Sequence, residues 1–222
     1  MKFSRLFISI LIFSILIFGF YPQIDLEVSS LFYDDQSGFY LKRNLFFYFI
    51  YKALPVLMVI TLISLISMLI YQYRKSVEFD ILNKKAIFFL LTFLLIGPGL
   101  ITNSIFKEYS GRARPVKMVQ FGGKAKFTPF YEIADECNRN CSFISGHVSA
   151  SIFFIAFAFF YRSRKIFYIA LGFALLMSLT RVVGGGHFLS DVVFALIINF
   201  AIFKLLYFFF YKEDASLDGA LK

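Results

Sequence analysis

The chain contains only two histidines, His147 and His187, and each stands among residues suited to phosphate chemistry. His187 is followed four residues later by Asp191. On a helix these two side chains share a face, so the carboxylate can fix the ring tautomer and leave the other nitrogen free. Such a histidine is prepared to act as a nucleophile or a general base. The alternative is a structural His–Asp pair that closes a helix start.

Basic side chains accompany both histidines. Lys107 and Arg114 lie in one short segment, and Arg181 precedes His187 by six residues. Arginine offers a planar fork of donors that matches phosphate oxygens, and lysine adds a point charge. The alternative for Lys107 and Arg114 is contact with lipid headgroups at a membrane surface. The pattern nevertheless favours an anionic substrate.

The residues before His147 are small. Ser145 and Gly146 open an apolar run, and a turn at a helix N-terminus presents backbone N–H groups to an anion. His147 at that point could protonate a departing oxygen, or it could be a chance histidine beside an N-cap. Together with the cations, these residues indicate phosphoryl transfer that depends on positioning and charge, with no metal or cofactor required.

Composition indicates what must position these groups. Of the 222 residues, 59% are hydrophobic and 33 are phenylalanine, which is too much apolar surface for a soluble domain. We therefore expect an all-α, polytopic membrane helix bundle that forms one domain over residues 1–222. The net charge of +9 is not gathered into a stripe with interleaved aromatics, so nucleic acid is not an expected partner.

Hydropathy predicts six transmembrane helices, near residues 6–21, 45–71, 86–106, 145–161, 166–183 and 188–211. The first could instead be a signal peptide, although no small-residue cleavage site follows it. Gly97-Pro98-Gly99 predicts a kink or an unwound turn in the third. Lysine and arginine are rich on the side that holds both termini, at Lys2, Arg5, Arg74–Lys85, Arg162–Lys165 and Lys212. The positive-inside rule makes that side cytoplasmic and places the candidate site outside.

The long loop Lys107–Ser142 is basic although it lies on the predicted outer side, which invites a functional explanation. It also holds Cys137 and Cys141. In an oxidising compartment these two are expected to form a local disulfide, and the alternative is two free thiols. A zinc site is not expected, because no histidine or further cysteine lies close by in the sequence.

The spacing of these residues resembles the phosphatidic acid phosphatase type 2 superfamily, whose signature is K-x6-R-P, P-S-G-H and S-R-x5-H-x3-D. The three parts read here Lys107-x6-Arg114-Pro115, Ile144-Ser145-Gly146-His147 and Thr180-Arg181-x5-His187-x3-Asp191. Isoleucine replaces the usual proline, which should loosen the turn. Threonine replaces serine and keeps a hydroxyl.

The resemblance implies that His187 attacks phosphorus to give a phosphohistidine, with Asp191 orienting the ring. His147 would protonate the leaving oxygen and then activate water. The residues implied to hold the phosphate are Lys107, Arg114 and Arg181, with the amides of Ser145 and Gly146. Arg112 is not a signature position but could add to the field.

Within the superfamily, the chain looks like the small bacterial lipid phosphatases of the inner membrane, with a periplasmic site. The leading expectation, implied by the resemblance, is removal of the 4'-phosphate of lipid A, and the basic loop Arg112–Arg139 suits such a large, multiply anionic lipid. Undecaprenyl pyrophosphate and phosphatidylglycerol phosphate are the alternative substrates.

Two alternative interpretations of these residues do not involve a phosphohistidine. His147, His187 and Asp191 could form a two-histidine, one-carboxylate metal site, but three nearby cations would repel a divalent ion. A transporter would also suit intramembrane charges, but the sequence has no internal repeat and its charges cluster at one predicted surface.

Overall fold

The computed structural model describes residues 4–212. Lys2 and the polar tail after Lys212 lie outside the described residues. The helices are α1 (Arg5–Phe20), α2 (Ile24–Ser30), α3 (Leu45–Lys75), α4 (Lys84–Leu94), α5 (Lys107–Tyr109), α6 (Gly146–Ile152), α7 (Ile155–Phe160), α8 (Arg164–Val183) and α9 (Leu189–Tyr211). A small antiparallel hairpin joins β1 (Tyr33–Asp34) to β2 (Gly38–Phe39), and 3-10 turns lie at Tyr40–Arg43, Pro115–Lys117 and Val119–Phe121.

The expectation of a mostly helical integral membrane protein is confirmed. Within residues 4–212, four helices are long and apolar enough to cross a membrane, or five if α1 and α2 form one bent span. The predicted fourth span consists instead of α6 and α7, a shorter apolar stretch that is interrupted near Phe153. The count of six predicted from hydropathy is therefore not reached by length and composition.

The first predicted span also differs from a straight helix. α1 ends after 16 residues, and α2 leaves it at an angle of 86°. Pro22 follows the end of α1 and has no N–H to donate, so the helix cannot continue in register. The bend carries Asp25, only 1% exposed, into the interior. A residue that hydropathy assigned to a polar loop thus becomes part of the core.

A π-helical segment, Leu95–Phe106, connects α4 to α5. It contains Pro98, whose missing N–H disfavours regular α-helical bonding, and the side-chain amide of Asn103 donates to the carbonyl oxygen of Pro98 at 2.7 Å. The sequence predicted a kink or an unwound turn here, and the chain adopts the wider turns of a π-helix. The segment leads without a break into Lys107.

A buried polar cluster crosses the bundle behind the candidate site. The side-chain amide of Asn199 on α9 donates to Ser149 Oγ on α6 at 2.8 Å, and Thr102 Oγ1 of the π-helical segment donates to the same oxygen at 3.0 Å. All three side chains are fully buried. Hydrogen bonds of this kind hold helices together where the surrounding lipid offers no hydrophobic driving force.

Apolar packing divides into two clusters along the bundle. One is rich in aromatic rings, with Phe89, Phe93, Phe153 and Phe203 among its buried members. The other lies beneath the site and draws Val148, Met177 and Val192 from α6, α8 and α9. By contrast, only 11% of the most apolar window of α3 is buried, so this helix faces lipid along most of its length.

A third cluster fixes the loops at the end of the bundle that carries the site. Phe39 of the hairpin packs with Met118 and Phe121 of the long loop and with Phe188 at the start of α9. The loop is also tied to itself, since the Val119 amide donates to the carbonyl oxygen of Ala125 at 2.9 Å. The long loop is therefore an ordered cap that can position side chains.

The close approach of the π-helical segment to α9 generates a stability prediction. A Cβ added at Gly97 would lie 2.7 Å from Asn199 Oδ1 and 3.1 Å from the Phe93 ring. We expect Gly97→Ala to lower the free energy of unfolding in detergent by about 1–3 kcal/mol, as overpacking does. Nothing lies within 4 Å of the same position at Gly172, where alanine should stabilise α8 by about 0.5–1 kcal/mol.

Thermal unfolding of both variants measures the difference. Asn199→Ala removes the atom that is approached, so Gly97→Ala should cost less in an Asn199→Ala background than in the wild type. Equal shifts for Gly97→Ala and Gly172→Ala would contradict the close contact.

Candidate active site

Arg112 is a buried residue that binds two carboxylates of the candidate site. Its Nη1 donates to Asp191 Oδ1 at 2.6 Å, and its Nη2 donates to Asp25 Oδ2 at 2.8 Å. Nε donates to the carbonyl oxygen of Thr128 at 2.8 Å, and the guanidinium lies 4.3 Å from the centre of the Phe188 ring. The arginine is 1% exposed. Its planar fork thus joins two carboxylates from opposite ends of the chain.

Ser190 closes this network at the start of α9. Its amide donates to Asp25 Oδ1 at 2.8 Å and its hydroxyl to Asp25 Oδ2 at 2.5 Å. The hydroxyl also accepts a 2.8 Å hydrogen bond from Arg112. Because Asp25 satisfies an amide of the first turn of α9, the bent N-terminal helix fixes the place where α9 begins.

Asp191 is fully buried and has its oxygens occupied on several sides. Oδ2 accepts from Ser142 Oγ at 2.5 Å and from the Phe188 amide at 2.8 Å, and it lies 3.5 Å from His187 Nδ1. The carboxylate is thus held rigidly beside the imidazole. It can receive the Nδ1 proton while Nε2 stays free for chemistry.

His187 is 1% exposed, and burial is the largest influence on its titration. Burial lowers the pKa of His187 to about 3, Asp191 acts in the opposite direction, and the positive charges of Arg181 and Arg114 lower the pKa further. The ring is consequently neutral at physiological pH. A neutral imidazole keeps the lone pair that nucleophilic attack requires.

Two of the predicted phosphate ligands meet at Asn140. Its Oδ1 accepts from Lys107 Nζ at 3.1 Å and from Arg114 Nη2 at 2.9 Å, and its carbonyl oxygen accepts from the same Nη2. The neighbouring Cys141 forms a disulfide with Cys137. Asn140 is therefore adjacent to the disulfide and binds two cations, which it keeps close together.

Lys107 Nζ also lies against Gly146, the first residue of α6. A Cβ at Gly146 would be 2.9 Å from Lys107 Nζ, so the missing side chain leaves room for the ammonium group here. Ser145 departs from expectation in one respect. Its amide, predicted to hold phosphate, donates to the carbonyl oxygen of Asp191 at 3.2 Å and is engaged within the protein. The group that Ser145 can offer is its hydroxyl, which is buried and has no hydrogen-bond partner.

Tyr51 of α3 contacts both His147 and Arg181. Its ring stacks on His147 at a centroid distance of 4.6 Å, and the Arg181 guanidinium lies 4.8 Å from the same ring. Arg181 in turn fills the space beside Gly186, where a Cβ would be 2.4 Å from Nη2. The three-glycine turn therefore allows an arginine to lie against the backbone that leads into His187.

Polar atoms without partners gather at these residues. Seven buried side-chain nitrogen and oxygen atoms of residues 4–212 lack a hydrogen bond, and four belong to predicted site residues. One of the four, His187 Nδ1, faces Asp191 at 3.5 Å, which leaves Ser145 Oγ, His147 Nε2 and Arg181 Nε without a nearby protein partner. Buried polar groups are normally satisfied, so such a concentration marks a place built to bind a polar ligand. With three cations around it, the site suits an anion.

The metal alternative has no geometric counterpart in this part of the chain. Among residues 4–212, no three histidine, cysteine, aspartate or glutamate side chains are grouped as metal ligands would be. His147 faces Tyr51, whereas Asp191 faces Arg112 and Ser142. The groups at the site that can bind an anionic substrate are therefore the cations.

The family model of the PAP2 superfamily matches residues 85–215. This range contains every residue described above for the candidate site except Asp25 and Tyr51. The chain belongs to the PAP2 superfamily. The expectation of a phosphoric monoester hydrolase is thereby confirmed.

PAP2 relatives of similar length are found among characterised proteins. The lipid A 4'-phosphatase of Francisella tularensis subsp. novicida is 32% identical over 90% of this chain and 92% of its own length. The lipid A 4'-phosphatase of Rhizobium leguminosarum is 29% identical over 86% of this chain and 88% of its own. A lipid A 1-phosphatase of Rhizobium johnstonii is 36% identical over 52% of this chain and 44% of its own. No solved structure matches the chain.

The two departures from the PAP2 signature are accommodated by packing. Ile144 is fully buried in the apolar cluster beneath the site. Thr180 Oγ1 donates to the carbonyl oxygen of Leu176 at 2.8 Å, so its hydroxyl serves α8. Neither side chain takes the place of a charged or imidazole group.

Several supporting residues of this PAP2 site escaped sequence reasoning. Asp25, Tyr51 and Asn140 lie outside the signature, and Arg112 was assigned only a contribution to the field. Arg112 lies two residues before Arg114, and in extended chain this spacing would place both side chains on the same face; it gave no sign that Arg112 would bind Asp25 and Asp191 while Arg114 binds Asn140. Asp25 and Tyr51 carry no local signal, because their partners lie far away in sequence.

The central role of Arg112 generates a kinetic prediction. Lysine keeps the charge but cannot reach both Asp25 and Asp191, so Arg112→Lys should let the carboxylate shift relative to His187. We expect kcat to fall about 100-fold, as small displacements of catalytic groups do, with a much smaller change in KM. Arg139→Lys, on the exposed part of the same loop, is the matched control and should leave both constants unchanged.

Hydrolysis by purified protein measures these constants, and thermal unfolding shows whether each variant is folded. A folded Arg112→Lys protein with normal kcat would contradict the positioning role.

The disulfide generates a second prediction. It closes a loop of only a few residues, so its effect on the entropy of the unfolded chain is small and its main consequence is the placement of Asn140. Replacing Cys137 and Cys141 by serine should raise KM several-fold, because Lys107 and Arg114 lose a fixed partner, while the unfolding temperature changes little.

Dithiothreitol should reproduce the KM increase in the wild type and leave the double serine variant unchanged. Asn140→Ala should show the same higher KM without any reductant. A disulfide variant with normal KM and a large loss of stability would assign the bond a purely structural role.

Proposed function

We propose that this protein is a lipid A 4'-phosphatase of the bacterial inner membrane that works through a phosphohistidine intermediate. The observation that carries the proposal is the cluster of unpartnered buried polar atoms, ringed by Lys107, Arg114 and Arg181, beside a neutral His187 that Asp191 holds in place. The choice of substrate is supported by two relatives of nearly full-length coverage, both lipid A 4'-phosphatases.

In the first step, His187 Nε2 attacks the phosphorus atom, and the bond between phosphorus and the sugar oxygen breaks. His147, which the negative charge of the bound phosphate stabilises in its protonated form, gives a proton to that oxygen as it leaves. Arg181, Arg114 and Lys107 stabilise the charge on the equatorial phosphate oxygens, as positioned cations do in other phosphoryl transfers.

In the second step, His147 takes a proton from water, and the hydroxide attacks the phosphohistidine. The bond between phosphorus and His187 Nε2 breaks, and inorganic phosphate leaves. Asp191 stabilises the imidazolium formed in the intermediate. The Ser145 hydroxyl and the Gly146 amide lie at the N-terminus of α6 and complete the phosphate cradle.

The same proposal includes the topology. Six membrane crossings are obtained if the bent pair α1–α2 is the first and the broken pair α6–α7 is the fourth. Both termini then lie in the cytoplasm, next to the basic segments Arg74–Lys85 and Arg162–Lys165, and the site opens to the periplasm. A disulfide between Cys137 and Cys141 suits that oxidising compartment.

Substrate and mechanism can be tested together. Purified protein in neutral mixed micelles should release phosphate from lipid A, and mass spectrometry should place the loss at the 4' position. We expect slower release from undecaprenyl pyrophosphate and phosphatidylglycerol phosphate. His187→Ala should lower the rate on the order of 10⁴-fold or more, because the nucleophile is removed.

Radiolabelled substrate should leave an acid-labile phosphate on the wild type and none on His187→Ala. Phosphate release that survives His187→Ala would refute the mechanism, and release from phosphatidylglycerol phosphate alone would refute the substrate. Strong inhibition by EDTA without inhibition by vanadate would favour a metal enzyme instead.

A further inference from the structure

A cavity of about 730 Å³ adjoins the site, and its walls carry five positively charged side chains: Lys42, Arg43, Lys52, Arg114 and Arg181. None of the described lining residues carries a carboxylate. The volume lies in the range of small-molecule binding sites. Such a concentration of one charge raises the local potential and attracts a ligand of the opposite sign.

Only two of these cations belong to the phosphate site already described. Lys42 and Arg43 come from the 3-10 turn after the hairpin, and Lys52 comes from the second turn of α3. Within residues 4–212, the side chains of Lys42 and Arg43 make no hydrogen bond or ion pair, and the Lys52 ammonium lies 5.6 Å and 5.7 Å from the ring centres of Tyr48 and Tyr51. These three cations are therefore free to meet an anion beyond the reacting phosphate.

The long loop lines a different cavity, of about 860 Å³, on the other side of Arg114. Lys117, Lys124 and Arg139 line it, but so do Asp135 and Glu136. Acids and bases offset one another there. The cavity lined by the long loop, which the sequence suggested for a multiply anionic lipid, is therefore less suited to bind an anion than the cavity next to Lys42.

The walls of the first cavity also indicate what carries the anion. Phe39, Phe47, Tyr48 and Tyr51 present rings beside the cations. Aromatic faces pack well against the apolar faces of sugar rings, while the cations remain available for phosphate oxygens. A headgroup with sugar rings and more than one phosphate combines both requirements.

The names of the relatives show that such a headgroup exists in this family. One set acts at the 4' position of lipid A and another at the 1 position, so the intact headgroup carries two phosphates. We propose that Lys42, Arg43 and Lys52 bind the second phosphate of the headgroup whose first phosphate reacts at His187. This subsite rests on the proposed function. It makes the enzyme selective for the bisphosphorylated lipid.

The test compares two substrates in neutral mixed micelles: lipid A with both phosphates, and lipid A that retains only the 4'-phosphate. For the full-length Lys42→Ala/Arg43→Ala variant, we expect KM for the bisphosphorylated lipid to rise about tenfold or more, because charged hydrogen bonds are lost. KM for the monophosphorylated lipid should change much less. The preference of the wild type for the bisphosphorylated lipid should disappear.

Lys117→Ala/Lys124→Ala is the matched control, since it removes the same charge from the other cavity. It should leave the ratio of the two KM values unchanged. If both double variants raise both KM values equally, the cations act only by general attraction to anionic micelles, and the subsite is refuted. An unchanged ratio in Lys42→Ala/Arg43→Ala refutes it as well.

Circular dichroism and thermal unfolding establish that the variants are folded, and Arg43→Gln alone should shift the ratio in the same direction by a smaller factor. The outcomes also separate the two proposals. Wild-type protein that hydrolyses both lipids equally overturns the subsite alone. Wild-type protein that releases phosphate from neither overturns the proposed function and the subsite together.

Discussion

A single buried arginine holds this structure together at its functional end. Two carboxylates and a guanidinium removed from water would be costly as separate charges, and removing one partner would leave the others uncompensated. Here Asp25, Arg112 and Asp191 satisfy one another, with Ser190 and Ser142 occupying the remaining oxygens. The network can exist only if the first helix bends inward, the long loop folds over the bundle, and α9 begins at its observed residue.

That dependence explains why the less regular parts of the fold lie where they do. The 86° bend between α1 and α2 brings Asp25 to the arginine. The aromatic packing of the hairpin against the long loop keeps Phe188 over the guanidinium. The bend and the packing of the long loop thus each supply one partner of Arg112, and the imidazole of His187 is placed as a result.

Sequence reasoning named the candidate site residues because they follow a local signature, in which Lys107, Arg114, His147, Arg181, His187 and Asp191 occur in order at characteristic spacing. It also reached the membrane class, since hydropathy needs no tertiary information. It could not find the partner of Arg112, because Asp25 lies 87 residues away and resembles any acidic residue of a loop. The π-helical segment was signalled only as a kink or an unwound turn at Gly97-Pro98-Gly99, because a local motif does not specify which hydrogen-bond pattern replaces the α-helical one.

Sequence reasoning also could not predict which atom of a residue is available to bind the phosphate. A motif specified Ser145 and Gly146 as amide donors, but the Ser145 amide is taken by the carbonyl oxygen of Asp191. Spacing along a chain identifies residues that meet, whereas the choice between amide and hydroxyl depends on how α6 and α9 pack. Tyr51 shows the converse, because nothing in an apolar run distinguishes the tyrosine that will stack on His147 from its neighbours.

The helix that supplies Tyr51 has 31 residues, so at about 1.5 Å per residue it is roughly 46 Å long, well beyond a hydrocarbon core of about 30 Å. Its N-terminal turns, which carry Tyr51, therefore extend toward the level of the headgroups. Because α3 otherwise faces lipid, the thickness of the surrounding bilayer bears on its tilt and thus on the ring that covers His147 and Arg181. One wall of the site is in this way set by the membrane in which the protein lies.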